Sequence, residues 1–118
     1  MSLTVHTEQR GDVVVVSVAG ELDMATAPQL QDQITDLLDK GRSRLVFDLA
    51  EVSFCDSTGL SVFVRAKNSS DEAGGVVRLA APQRGVLRIL EVSGLVEVLH
   101  TYPTVEQAVA GDPTPTSS

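Results

Sequence analysis

The groups most able to do chemistry are concentrated in one short stretch, Asp56-Ser57-Thr58-Gly59-Leu60, which sets a carboxylate, two hydroxyls and a glycine side by side. Two readings follow from the residue types. In the first, Asp56 or Ser57 caps a helix that starts here by accepting its unpaired amide protons, an effect of about 1 kcal/mol, and Gly59 allows close packing. In the second, Ser57 is a nucleophile served by Asp56 and a histidine. That reading lacks the Gly-x-Ser-x-Gly elbow, and its histidine would have to come from His6 or His100 in remote strands. A phosphate-cradling loop has even less support, because there is no Gly-x-x-x-x-Gly-Lys and Gly74-Gly75 follows a helix rather than a strand.

The remaining candidates read as structural. Cys55, the single cysteine, can form neither an intrachain disulfide nor a multi-cysteine metal site, and a small buried hydrophobe is the commoner role for such a residue than a redox thiol. His6 and His100 show no ligand spacing, so neither a metal nor a cofactor is expected. Asp48 reads as a solvent-facing or hydrogen-bonded strand residue, Arg65 and Lys67 as the solvated flank of a helix, and His100 as a surface residue at a strand end.

Charge narrows the partners. Nine Lys and Arg against sixteen Asp and Glu give a net charge of −7, which repels phosphate backbones and anionic headgroups. With no Trp, three Phe and one Tyr there are few platforms for stacking bases, so no direct nucleic-acid partner and no membrane partner is expected. The most apolar run, Val13 to Ala19, falls far short of the roughly 20 residues a membrane helix requires, and the start lacks the apolar core of a signal peptide. The expectation is a cytoplasmic protein.

The elements that must position these residues are legible from period and punctuation. Leu3–Glu8 and Asp12–Ala19 read as a hairpin turning at Gln9-Arg10-Gly11, and the unalternating Val13-Val14-Val15-Val16 suits a central strand covered on both faces. Thr26–Lys40 carries a helical stripe, opens with the capping box Thr26-x-x-Gln29 and stops at Gly41. Arg44–Leu49 is a third strand, Ser57 to about Ala73 a second helix with Leu60, Phe63, Val64 and Lys67 on one face, and Val76–Ala81 a fourth strand. A short helix, Gln83–Val92, a last strand, Val96–Leu99, and a final helix, Thr104–Ala110, opened by a second capping box, complete residues 1–110. The segment 111–118 reads as a disordered tail.

The order β-β-α-β-α-β-α-β-α predicts a single α/β domain whose mixed, mostly parallel sheet has four to five strands, an antiparallel first strand and about four helices. Functional loops of such sheets lie beyond the carboxyl ends of the parallel strands. Gly20-Glu21-Leu22-Asp23, Val52 to Leu60 and Pro82-Gln83-Arg84 occupy those places and should share one edge, with Asp23, Asp56 and Ser57 on one surface.

Asp56-Ser57-Thr58-Gly59-Leu60, preceded by Leu45-Val46-Phe47-Asp48-Leu49 and Val52-Ser53-Phe54, resembles the signature of STAS-domain anti-sigma factor antagonists. Gly20-Glu21-Leu22-Asp23 followed by Thr26-Ala27-Pro28 is similar to the family's other recurrent element, and the element order agrees from about Leu3 to Ala110. The resemblance implies a STAS-like fold and a regulatory, non-enzymatic protein whose unphosphorylated form binds an anti-sigma factor, often a serine kinase, and so frees a sigma factor. It implies Ser57 as the phosphorylation site, a serine phosphatase as the reversing partner, and Glu21, Asp23, Asp56, Ser57, Thr58 and Gly59 as the partner-binding set. Thr58 is the structural neighbour, a first-turn hydroxyl bonding the backbone. Relatives of the same fold also serve as stressosome scaffolds and as subunits of lipid-transport complexes. The phosphorylatable serine favours the antagonist.

Overall fold

The computed structural model describes residues 2–111, so the expected tail beyond Gly111 lies outside the described residues. The elements run β1 (Leu3–Arg10), β2 (Val13–Leu22), α1 (Ala27–Asp39), β3 (Arg44–Cys55), α2 (Ser57–Glu72), β4 (Val76–Ala80), α3 (Arg84–Val92), α4 (Leu95–Val98), β5 (Thr101–Tyr102) and α5 (Val105–Ala110). The five strands form one sheet in chain order. β1 is antiparallel to β2, and every other pair is parallel, as the order of elements predicts.

The valine run explains the layering. Val14 and Val16 join the main core with Leu45, Phe47 and Leu79 beneath α1, α2 and α3. Val13 and Val15 point the other way and pack with Val46, Ala80, Tyr102 and Ala108 beneath α5. A strand buried on both faces needs no polar alternation. Phe47 meets Phe63 of α2 edge to face, ring centroids 5.2 Å apart, which fixes the second helix over the middle of the sheet. On α2 the buried face is Leu60, Val62, Phe63, Ala66 and Ser70, while Val64 is only half-buried and Lys67 pairs with Asp71 at the surface.

Helix α1 ends where Gly41 predicts. Gly41 adopts φ 78°, its amide donates to the Leu38 carbonyl at 3.0 Å, and the Arg42 amide donates to the Leu37 carbonyl at 2.9 Å. This is the pair of hydrogen bonds that a left-handed glycine past a helix end permits.

Several expected boundaries differ. The hairpin turn is tighter than Gln9-Arg10-Gly11, because Arg10 still pairs with Val13 and only Gly11 and Asp12 connect the strands. Val96–Leu99 is not a strand: Leu95–Val98 form the short helix α4, which makes five helices among the described residues, and Thr101–Tyr102 form the strand beside β4. Val96 and Leu99, three apart, are both buried, a spacing that serves a helical turn and that a four-residue run cannot distinguish from a strand.

The capping of α1 also differs. Thr26 makes no side-chain cap. Its hydroxyl instead donates to the Glu21 carbonyl at 2.7 Å, and the Gln29 side chain turns away from the cap, its Nε2 donating to the Leu3 carbonyl at 2.8 Å. At α5, Thr104 does cap, accepting from the Gln107 amide at 3.1 Å.

Candidate functional site

The carboxyl ends of β2 and β3 are longer than the sequence suggests. Gly20, Glu21 and Leu22 remain in β2, paired with Val52, Phe54 and Cys55 of β3, after register shifts that interrupt the ladder. What reads as two loops is therefore a pair of strand ends held side by side. Leu22 and Cys55 turn into the core, and Gly59 of α2 sits on top of them. A Cβ at Gly59 would stand 2.8 Å from Leu22 Cγ and 2.9 Å from Cys55 Sγ. Glycine here is a packing requirement, and it brings the start of α2 down onto the strand ends.

That contact fixes the helix entry. The Asp56 amide donates to the Leu22 carbonyl at 3.1 Å, joining the two strand ends directly. The Asp56 side chain then caps α2, its Oδ1 accepting from the Gly59 amide at 3.0 Å. Ser57 is the first residue of the helix and is exposed. The expected Thr58 backbone bond is made by another hydroxyl: Ser61 Oγ donates to the Ser57 carbonyl at 2.9 Å.

The other strand end is organised by Asp23. Its Oδ1 accepts from the amides of Ala25 and Thr26 at 2.9 and 3.1 Å, so one carboxylate oxygen is committed to the turn that launches α1. The third segment is tied in through Gln83, whose Nε2 donates to the Ala50 carbonyl at 2.9 Å.

Between the starts of α1 and α2 lies a groove of about 440 Å³. Met24, Pro28 and Asp32 form its α1 side, and Ser57, Thr58 and Arg65 its α2 side. The structure thus brings Ser57 and Thr58 together with the α1 entry, and keeps Glu21, Asp23, Asp56 and Gly59 within the same strand-end assembly. Neither His6 nor His100 lines this groove. Cys55 is buried, and that burial pushes its thiol up to about 12, with the nearby Asp56 charge adding to the shift. A thiol so shifted is protonated at neutral pH and is packing rather than chemistry. Among the described residues no group of three His, Cys, Asp or Glu is placed to hold a metal ion.

Met24 carries no signal in the sequence, and Phe54 enters only as part of the Val52–Leu60 segment; both are prominent here, 75% and 48% exposed at the strand-end edge. Only the fold shows that they face solvent.

A model of the STAS domain family matches residues 4–108. Anti-sigma-B factor antagonists from Bacillus subtilis and from Staphylococcus epidermidis are 31% identical over 99 residues and 33% identical over 109. The two alignments cover 84% and 90% of this chain and 90% and 98% of those proteins. The crystal structure of an anti-sigma factor antagonist from Mycobacterium paratuberculosis superposes with a TM-score of 0.84 at 32% identity, covering 93% of each chain. The chain belongs to the STAS domain family. Among the described residues, no helix is long and apolar enough to cross a membrane.

Proposed function

We propose that this chain is an anti-sigma factor antagonist that works by switching partners. Unphosphorylated, it binds an anti-sigma factor with serine-kinase activity and thereby frees a sigma factor for transcription. Phosphorylation of Ser57 ends that binding, and a serine phosphatase restores it. The protein acts in the cytoplasm and is itself no enzyme. The observation that carries this reading is Ser57 itself: an exposed hydroxyl at the first position of a helix whose cap, Asp56, is fixed to the neighbouring strand end, in a chain whose relatives are anti-sigma-B factor antagonists.

The chemistry suits that place. In the transfer, the Ser57 Oγ–phosphorus bond forms as the bond from the γ-phosphorus of ATP to ADP breaks, and the hydroxyl proton passes to a base on the kinase. The product adds about −1.5 to −2 charges at neutral pH. The start of α2 tolerates them, because Asp56 Oδ1 satisfies the Gly59 amide while the first-turn amides ahead of it stay free for the phosphate. Mass spectrometry of the protein from its own cells, before and after phosphatase treatment, with identification of copurifying proteins, tests the reading. The expected result is phosphate on Ser57 that phosphatase removes, with a serine kinase retained only by the unphosphorylated chain. Phosphate confined to another residue would overturn it.

A further inference from the structure

Four large apolar side chains are exposed among the described residues, Met24, Phe54, Val92 and Val98, and the first two stand at the strand-end edge that carries Ser57. Met24 lines the groove between α1 and α2 beside Ser57. Phe54 stands opposite Glu21 in the β2–β3 register, one residue before Cys55. Successive strand residues point to opposite faces. Since Leu22 and Cys55 are buried beneath α2, Glu21 and Phe54 lie on the face turned away from it. Met24 and Phe54 are therefore on opposite sides of the sheet end, and Ser57 lies on the Met24 side, across the groove from it.

We infer that Met24 and Phe54 are the two apolar anchors by which this chain holds its anti-sigma factor, which straddles the sheet end with a recess for each and basic groups between them. The inference rests on the function proposed above and deepens it. Complementary charge identifies the occupant's chemistry: Glu21, Glu51, Asp23 and Asp56 lie in or directly after the carboxyl-terminal parts of β2 and β3, with Arg65 in the adjoining groove, and the chain carries a net charge of −7. Asp23 and Asp56 each commit an oxygen to backbone amides of their own chain, so the carboxylates are better placed to orient a partner than to bind it tightly. Buried apolar anchors at the centre of an interface carry most of its affinity, and methionine and phenylalanine are enriched there. A partner seated on Met24 meets Ser57 in the same groove, which explains why a phosphate at that one hydroxyl would unseat it.

The test uses the full chain and the anti-sigma factor that copurifies with its Ser57→Ala variant, expressed and purified, with binding kinetics read at a surface. Met24→Ala and Phe54→Ala should each weaken binding at least tenfold through faster dissociation, with little change in association rate. Met24→Leu should retain binding. Val92→Ala, which trims an equally exposed side chain on α3, should bind as the parent does. Unchanged melting temperatures keep the loss local. Parent-like affinity in both anchor variants, or an equal loss in Val92→Ala, overturns the inference alone. A parent chain that binds no anti-sigma factor overturns the functional reading beneath it.

Discussion

The amide of Asp56 bonds to the carbonyl of Leu22 across 3.1 Å, so the residue that caps α2 is also the clasp between the ends of β2 and β3. Position and capping are thus coupled: whatever holds Ser57 in place also holds the ends of β2 and β3 together.

Removing the capping carboxylate should be felt as stability. Asp56→Ala leaves the Gly59 amide without its acceptor and should cost about 1 kcal/mol, lowering the melting temperature by about 4 °C. Asp56→Asn, which keeps an acceptor oxygen, should restore most of the loss. Thermal unfolding followed by circular dichroism measures both.

Gly59→Ala should destabilise, although alanine is the better helix former by about 0.8–1 kcal/mol. The new methyl would meet Leu22 and Cys55 at under 3 Å, and overpacking of that kind costs about 1–3 kcal/mol. The double variant Gly59→Ala/Cys55→Ala removes the contact with the sulfur while leaving that with Leu22, and should be more stable than the sum of the single changes predicts. Chemical denaturation of the four proteins closes the cycle.

Cys55 gives a pH signature. Its folded-state value is raised, from the ordinary 9.0 to about 12, so the native protein holds the thiol proton more tightly than the unfolded chain does. The stability this contributes is whole below pH 9 and is lost as pH rises from there toward 12. Cys55→Ala should therefore flatten the alkaline limb of stability against pH. A thiol reagent at pH 8 should modify the native protein only at the rate of opening, and the unfolded protein at once.

How much of this was legible depended on range. The covered central strand announced itself as four consecutive valines, and the stop of α1 as Gly41. Asp56, Ser57 and Gly59 were readable because capping and close packing act within a few residues. The same locality misled at Thr26, where Ser/Thr-x-x-Gln matches a capping box, but the Asp23 carboxylate takes the amides of Ala25 and Thr26 ahead of the helix and the Gln29 side chain reaches Leu3, 26 residues away. β3 looked finished at Leu49 because the register shifts break its period, and only pairing with Gly20–Leu22 carries it on to Cys55. Exposure at Met24 depends on what α1 and α2 leave uncovered, which no local pattern encodes.

The acidic edge should steer association. If Glu21, Asp23 and Asp56 face a basic partner, the association rate falls as salt rises while dissociation changes little. Stopped-flow measurement at low and high ionic strength reads this, and a salt-independent association rate would remove steering while leaving the apolar anchors in place.

The switch at Ser57 makes the strongest demand. Ser57 is exposed, and no hydrogen bond of its hydroxyl holds the fold together among the described residues, so replacing it should not unfold the protein. Ser57→Ala should bind the anti-sigma factor constitutively. Ser57→Asp should bind weakly, and less weakly than the phosphorylated protein, because one added charge imitates only part of a phosphate dianion. In a docked interface that dianion must shed water beside Asp56, a cost that can reach several kcal/mol and so lower affinity by orders of magnitude. Both variants should melt close to the parent, since the free first-turn amides of α2 favour negative charge. Calorimetric titration paired with thermal unfolding separates the outcomes. Equal affinity of Ser57→Asp and Ser57→Ala would end the proposal of a switch here, and a loss of binding that tracked a fall in melting temperature would assign Ser57 to the fold instead.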